Sequence, residues 1–366
     1  MTFLKKNPVM LIAALAAVIS CIFVPPDGNY LEYFDFKTLT CLFCTLAVVC
    51  ALKNIYFFRI VSAKIITIFT STRSAIIALV YITFLGSMLI ANDMALITFL
   101  PLGYYVITST DNRKYLAFTF IMQNIAANLG GMLTPFGNPQ NLFMYSYYNI
   151  PTMEFVEIML LPFLVSVTLI TLCCLFVKND KLVIKQECDI PLNKKKAILY
   201  GILFLLSIVI VFRVIPYWLG LIVIPLVLFF TDKHALRRVD YPLLLTFAFF
   251  FIFSGNVSRI PAVSHFVGGL IERNTLLLGT LSCQFISNVP SAILLSHFTQ
   301  NYRELLVAVN IGGTGTLIAS LASLITFREY AQCEPKKVGS YLKQFSAYNF
   351  GILAVLLVLM GFVFGA

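Results

Sequence analysis

Apolar runs long enough to cross a bilayer follow one another along almost the whole chain, and four of them are interrupted in the middle by Asn, Gly or Pro. A run of about 20 apolar residues matches the hydrocarbon thickness when it is helical. In lipid every backbone N–H and C=O needs an internal partner. Such a chain is therefore restricted to helices, with unwound backbone only where protein or a watery cavity satisfies it. The composition agrees, since 60% of the 366 residues are hydrophobic and 11% are charged, against roughly 25% charged in soluble domains. The net charge of +10 is gathered in short loops between the runs. It orients a membrane protein and does not form the continuous basic surface that nucleic acid requires, so lipid is the expected surround and no nucleic-acid partner is expected.

Basic loops mark the cytoplasmic side. Lys5 and Lys6 precede a first run, Val9 to Val24, which reads as an uncleaved helix because many further spans follow it. Thr38 to Leu52 returns to Lys53, Arg59 and Lys64, and residues 54–72 form an amphipathic stretch along the inner surface. Ser74 to Thr108 lies between Arg73 and Arg113-Lys114, so both of its ends are cytoplasmic, and Ala91-Asn92-Asp93 breaks it. A re-entrant hairpin over 74–108 fits. Tyr115 to Tyr148 is interrupted from Asn128 to Asn141 by two glycines, two prolines and several amides, which predicts a broken helix over 115–148. Ile158 to Val177 leads into the most basic stretch, with Lys178, Lys181, Lys185 and Lys194-Lys195-Lys196.

Three more runs follow, then an amphipathic segment at 258–273 on the outer face. A second hairpin over 275–298 is broken at Ser287-Asn288-Val289-Pro290, and a second broken helix over 304–327 precedes a last span ending near Phe364. The expected fold is an all-α polytopic protein of roughly nine spans plus two hairpins. It would sit in the inner (cytoplasmic) membrane with its N-terminus inside and its C-terminus outside. Cys41 and Cys44 form a C-x-x-C within a run and are expected to be packing residues.

The two broken helices align. Asn128-Leu-Gly-Gly-Met-Leu-Thr134 meets Asn310-Ile-Gly-Gly-Thr-Gly-Thr316, with Asn138 opposite Ser320 and Asn141 opposite Ser323. Each follows a hairpin with an asparagine at its tip, Asn92 or Asn288, and the loop charges open the first hairpin inward and the second outward. Weak internal symmetry with inverted topology is a mark of secondary transporters whose site lies at the breaks. The chain divides accordingly into a first inverted repeat at 1–177, a basic loop and linking helix at 178–216, and a second inverted repeat at 217–366.

The segments ANDMALITFLPL, NLGGMLTPFGNPQN, SNVPSAILL and NIGGTGTLIASLASL resemble the ion transporter superfamily. That group holds arsenical-pump permeases, citrate and divalent-anion/sodium symporters, and one class of sodium/proton antiporters. The resemblance covers nearly the whole chain. It implies hairpin tips and unwound helices surrounding cations and a small anion, a homodimer, and an elevator-like motion of the hairpin-bearing parts. The tips depart from the Ser-Asn-Thr of the dicarboxylate symporters, reading Ala91-Asn92-Asp93 and Ser287-Asn288-Val289. The Asn-Asp tip is closer to the arsenical-permease and antiporter branches.

Asp93 is the one carboxylate that this reading sets deep in the membrane, where an ionised side chain costs about 2.5–3.5 kcal/mol. It is expected to bind the coupling ion, Na⁺ or H⁺, with Asn92, Asn288, Gly312 and freed carbonyls from Gly130 to Thr134. A Na⁺ site is expected at Asn92, Asp93 and Asn288. Alternatively, Asp93 caps the half-helix behind the tip. The anion is expected at Asn92, Asn138, Pro139, Ser287, Asn288, Thr316 and Ser320, held by amides and helix dipoles because no Arg or Lys falls inside a run in a position to bind it. No other cofactor is expected. Three histidines lack metal spacing, and the lone membrane acid has no histidine partner, so an enzyme is not expected. Ion-coupled transport of a small anion leads, with a cation/proton antiporter or an arsenite-type efflux permease as alternatives.

Overall fold

The computed structural model describes residues 8–66, 68–109, 112–180 and 192–365; Lys5, Lys6, Lys181 and Lys185 lie outside the described residues. Helix α1 (Pro8–Phe23) leads through a 3-10 turn to α2 (Phe36–Asn54) and the short α3 (Phe57–Ile66). Next come α4 (Thr72–Leu89), α5 (Asn92–Ser109), α6 (Leu116–Gly130) and α7 (Pro139–Tyr147). The middle of the chain forms α8 (Thr152–Leu175), α9 (Lys194–Val211), α10 (Tyr217–Thr231) and α11 (Lys233–Arg237). The rest forms α12 (Tyr241–Ser258), α13 (Pro261–Ile271), α14 (Thr275–Ile286), α15 (Asn288–Leu295), α16 (Tyr302–Ile311), α17 (Leu321–Cys333) and α18 (Val338–Phe364).

Helix starts follow side-chain chemistry. The Asp35 carboxylate accepts from the Thr38 N–H at 2.9 Å at the head of α2, and Ser71 and Ser74 form a reciprocal box at the head of α4. Asn193, Asp240, Asn274 and Asn301 cap α9, α12, α14 and α16 in the same way. Each such cap satisfies a backbone donor that the helix leaves unpaired and contributes about 1 kcal/mol.

Among the described residues six segments are long and apolar enough to cross a membrane: Phe36–Asn54, Thr72–Leu89, Arg113–Leu133, Thr152–Leu175, Tyr241–Ser258 and Pro335–Phe364. α1 and α10 are shorter apolar helices. Helix α6 is the centre, buried at every position but Phe118. A helix apolar and buried all round belongs inside a bundle. Around it pack α4, α5, α8, α17 and α18. The periphery has the opposite character. Leu160, Leu161 and Leu164 of α8, Leu221, Ile222 and Phe230 of α10, and Val358 and Phe362 of α18 are exposed apolar side chains suited to lipid. Cys41 and Cys44 are buried free thiols, and Cys44 packs so near Gly220 that a Cβ there would lie 3.3 Å from its sulfur.

Two runs turn back within themselves. α4 and α5 pack on one another across a link of only Ile90 and Ala91, and α14 and α15 do so across Ser287 alone. Two others open, from Gly131 to Asn138 and from Gly312 to Ser320, each with one 3-10 turn in the gap. The packing is crossed. α5 of the first pair rests on α17, and α15 of the second pair rests on α7.

Candidate functional site

The two tips and two gaps meet at a cavity of about 110 Å³. Its wall is built largely from helix beginnings: Asn92 and Asp93 of α5, Pro139 and Gln140 of α7, Leu243 of α12, Asn288 to Pro290 of α15, and Leu321 of α17, beside Pro8 to Met10 of α1, whose preceding residues lie outside the described ones. The first residues of a helix carry N–H groups without intrahelical partners and roughly half a positive charge. Five such ends surround one small space.

The side chains behind the wall bond in matched pairs. Thr134 Oγ1 donates to Met88 O at 2.9 Å, and Thr316 Oγ1 donates to Gln284 O at 3.0 Å. Met88 and Gln284 each stand four residues before a tip asparagine. Asn92 Oδ1 accepts from the Asp93 N–H at 3.0 Å, and Asn288 Oδ1 accepts from the Val289 N–H at 2.9 Å. Asn128 Nδ2 donates to Asn124 O at 3.2 Å, and Asn310 Nδ2 donates to Leu306 O at 2.8 Å. The halves are stitched together by Asn310 Nδ2 donating to Asn141 Oδ1 at 2.6 Å and by Asn124 Nδ2 donating to Ser323 Oγ at 3.2 Å. Asn141 also donates to the carbonyls of Gly131, Met132 and Thr134, which the gap has released.

Of the residues singled out in the sequence, Asn92, Asp93, Pro139, Ser287, Asn288 and Ser320 line the cavity. Asn138, Thr316, Gly130, Thr134 and Gly312 lie behind that wall. Asn138 Nδ2 donates to Asn128 O at 3.2 Å, and Asn92 Nδ2 reaches Asn128 Oδ1 at 3.1 Å, so these three asparagines form one cluster. Gly130 is there for packing. A Cβ on it would lie 2.4 Å from the Phe84 carbonyl oxygen, so its absence lets α6 lie directly against α4. Gly315 sits at φ +118°, a left-handed conformation that glycine tolerates.

Four further polar or charged residues stand on the wall: Gln140, Asp240, Thr246 and Arg328. Arg328, at the end of an apolar run and not inside one, brings a cation to this wall. It is exposed on α17 and makes no ion pair among the described residues. Asp240 brings a second acid to the wall, at the start of α12. One of its oxygens accepts from the Leu243 N–H at 3.0 Å, capping α12. The Asp-Tyr-Pro run from 240 to 242 announces a helix start, with a cap followed by an early Pro, but not that this start opens onto the cavity.

Asp93 does not act as a cap. Neither of its carboxylate oxygens accepts a hydrogen bond from a described residue, and Oδ1 is buried without a partner. Asn138 Oδ1 and Gln140 Oε1 are likewise buried acceptors without a donor. Oxygens of this kind suit a hard cation or a proton on the acid. The residues present therefore fit a small cation.

Ser287 is held at φ 76° and ψ 157°, a region that side chains avoid. Such a conformation costs about 1–3 kcal/mol. Ser287→Gly is expected to raise the melting temperature in detergent by ~1–2 °C after the entropic cost of glycine is subtracted. An unchanged or lower value would show that the hydroxyl, which donates to Ala319 O at 3.3 Å, outweighs the strain.

A family model described as Citrate transporter matches residues 2–304. The chain belongs to the citrate transporter family. An uncharacterized transporter of Methanocaldococcus jannaschii is 35% identical over 304 residues, covering 82% of this chain and 83% of its own length. The Inner membrane protein YbiR of Escherichia coli is 28% identical over 281 residues, covering 74% of each chain. Membership in the citrate transporter family makes this a multi-pass membrane transporter. Its similarity to the ion transporter superfamily is accounted for in the same way. The match ends in the first turn of α16, so the second gap lies beyond it.

Proposed function

We propose that this transporter moves a small anion, an organic carboxylate or an inorganic oxyanion, across the cytoplasmic membrane together with Na⁺ or H⁺. The observation that carries the reading is the convergence of five helix N-termini on one cavity, four of them at tips or gaps. The positive ends of helix dipoles, with the N–H groups that the caps leave free, favour negative charge. Arg328 adds a full positive charge at the rim. A cation/proton antiporter would gain nothing from these groups, which ranks anion transport above it. Asp93, Asp240 and the unpartnered amide oxygens supply the negative side for the coupling ion. The family's description, Citrate transporter, favours carboxylates within the anion class.

Two inverted repeats, each with a re-entrant hairpin and a discontinuous helix, account for the matched hydrogen bonds and the crossed packing. In this reading roughly nine spans and two hairpins cross or enter the bilayer. Asp240 and Arg328 border the cavity toward the end that carries Arg237 and Arg238, which by the charge rule is cytoplasmic. The conformation is then inward-facing, with the N-terminus inside and the C-terminus outside. The hairpins move against the remaining helices in an elevator-like cycle, within a homodimer.

Uptake into proteoliposomes under imposed Na⁺ or H⁺ gradients, with citrate, dicarboxylates and inorganic oxyanions as candidate substrates, tests the reading. At least one anion should accumulate under one gradient. Cation exchange with no anion carried under any condition would overturn it. Arg328→Gln is expected to raise KM for the anion about tenfold with little change in maximal rate. A fall in maximal rate at constant KM would remove Arg328 from the entry path.

A further inference from the structure

A second, larger cavity of about 520 Å³ lies between the end of α2, the start of α3 and the flank of α5. Three cations line it: Lys53, Arg59 and Arg238. None of them pairs with a carboxylate among the described residues. The acid nearby is already engaged. Asp232 Oδ1 accepts from the Ala235 N–H at 3.2 Å and Oδ2 accepts from Asn54 Nδ2 at 2.9 Å. The same Asn54 accepts from Arg238 Nη1 at 3.1 Å, which fixes the guanidinium at the cavity wall. Three positive charges in one pocket repel one another unless an anion joins them.

The opposite wall has other chemistry. Ile97, Pro101 and Tyr105 stand at intervals of four on α5 and so share one face. Ile97 and Tyr105 are each 41% exposed, so this face is an open, largely apolar track running away from the cations. A free inorganic anion would use the cations and leave the track bare. A molecule with a charged head and hydrocarbon chains uses both.

We propose that this cavity binds the headgroup of an anionic phospholipid, with its phosphate at Lys53, Arg59 and Arg238 and its chains along α5. Basic pockets between membrane helices on the cytoplasmic side suit such headgroups, and the loop charges assign this end to that side. The lipid leans on the helix whose first turn carries Asp93. The assignment needs only that the chain spans a membrane, so it stands or falls apart from the choice of transported solute.

The test uses delipidated full-length protein in neutral detergent, read by native mass spectrometry. Phosphatidylglycerol and phosphatidylcholine with identical chains are titrated separately. Phosphatidylglycerol should be retained about tenfold better, and Arg59→Gln with Arg238→Gln should abolish the preference. Lys336→Gln, a basic substitution away from the cavity, should keep it and controls for net charge. Inorganic phosphate at millimolar concentration should not displace the lipid. Equal retention of the two lipids, an undiminished preference in the double variant, loss of the preference in Lys336→Gln, or displacement by phosphate would each overturn the proposal. The last of these would reassign the cavity to a free anion. Thermal unfolding of the double variant in the same detergent should match the unsubstituted protein, and a variant that unfolds is replaced by Arg59→Gln alone, for which at least a threefold loss of preference is required.

Discussion

Asp93→Asn, reconstituted in proteoliposomes, is expected to lose ion-driven uptake while unfolding at or above the temperature of the unsubstituted protein. Its carboxylate stands at the head of α5, faces the cavity, and accepts no hydrogen bond from a described residue. Removing such a charge from beside a bound cation costs about 3–5 kcal/mol, which is roughly two to three and a half orders of magnitude in ion affinity. The fold has little to lose, because no described group depends on the negative charge. Counterflow with equal ion concentrations on both sides separates the steps, since an anion site that survives should still exchange labelled for unlabelled substrate. Gradient-driven uptake at the unsubstituted rate would remove Asp93 from ion coupling.

Gly130→Ala is expected to act on stability. The added methyl would meet the Phe84 carbonyl oxygen at 2.4 Å and Ser87 Oγ at 2.5 Å. The nearer obstacle is backbone and cannot rotate away. Forcing α4 from α6 should cost about 3 kcal/mol, read as a lower melting temperature and a smaller yield of monodisperse protein in detergent. Ser87→Gly in the same chain should restore little, because it leaves the carbonyl in place. Full rescue by Ser87→Gly would mean that the hydroxyl, not the helix spacing, sets the constraint.

These two residues mark how far the sequence could be read. Asp93 was legible because a carboxylate inside an apolar run demands an explanation, and the structure brings it to the cavity wall with Asn92, Ser287, Asn288 and Ser320. The gaps were legible for the same kind of reason: Asn128 to Asn141 holds too many helix breakers for one continuous helix. Gly130, Thr134, Gly312 and Thr316 show where that signal ends. A pattern of breakers tells where backbone opens, but not which side of the opening faces solute. Thr134 and Thr316 turn their hydroxyls onto the neighbouring helix pair instead. Asp240 and Arg328 were missed for the converse reason. Charges at the ends of apolar runs serve first as topology markers, and only packing brings the start of α12 and the flank of α17 around one space.

The crossed packing of α5 on α17 and of α15 on α7 bears on how the molecule is made. Each half lends a helix to the other's floor, so neither amino-terminal nor carboxy-terminal fragment owns a complete interior during synthesis. A ribosome that has released the first 180 residues has delivered a hairpin whose resting place is still unwritten. Two fragments separated in the 178–193 connection should therefore accumulate only when made together in one cell, each being degraded when produced alone.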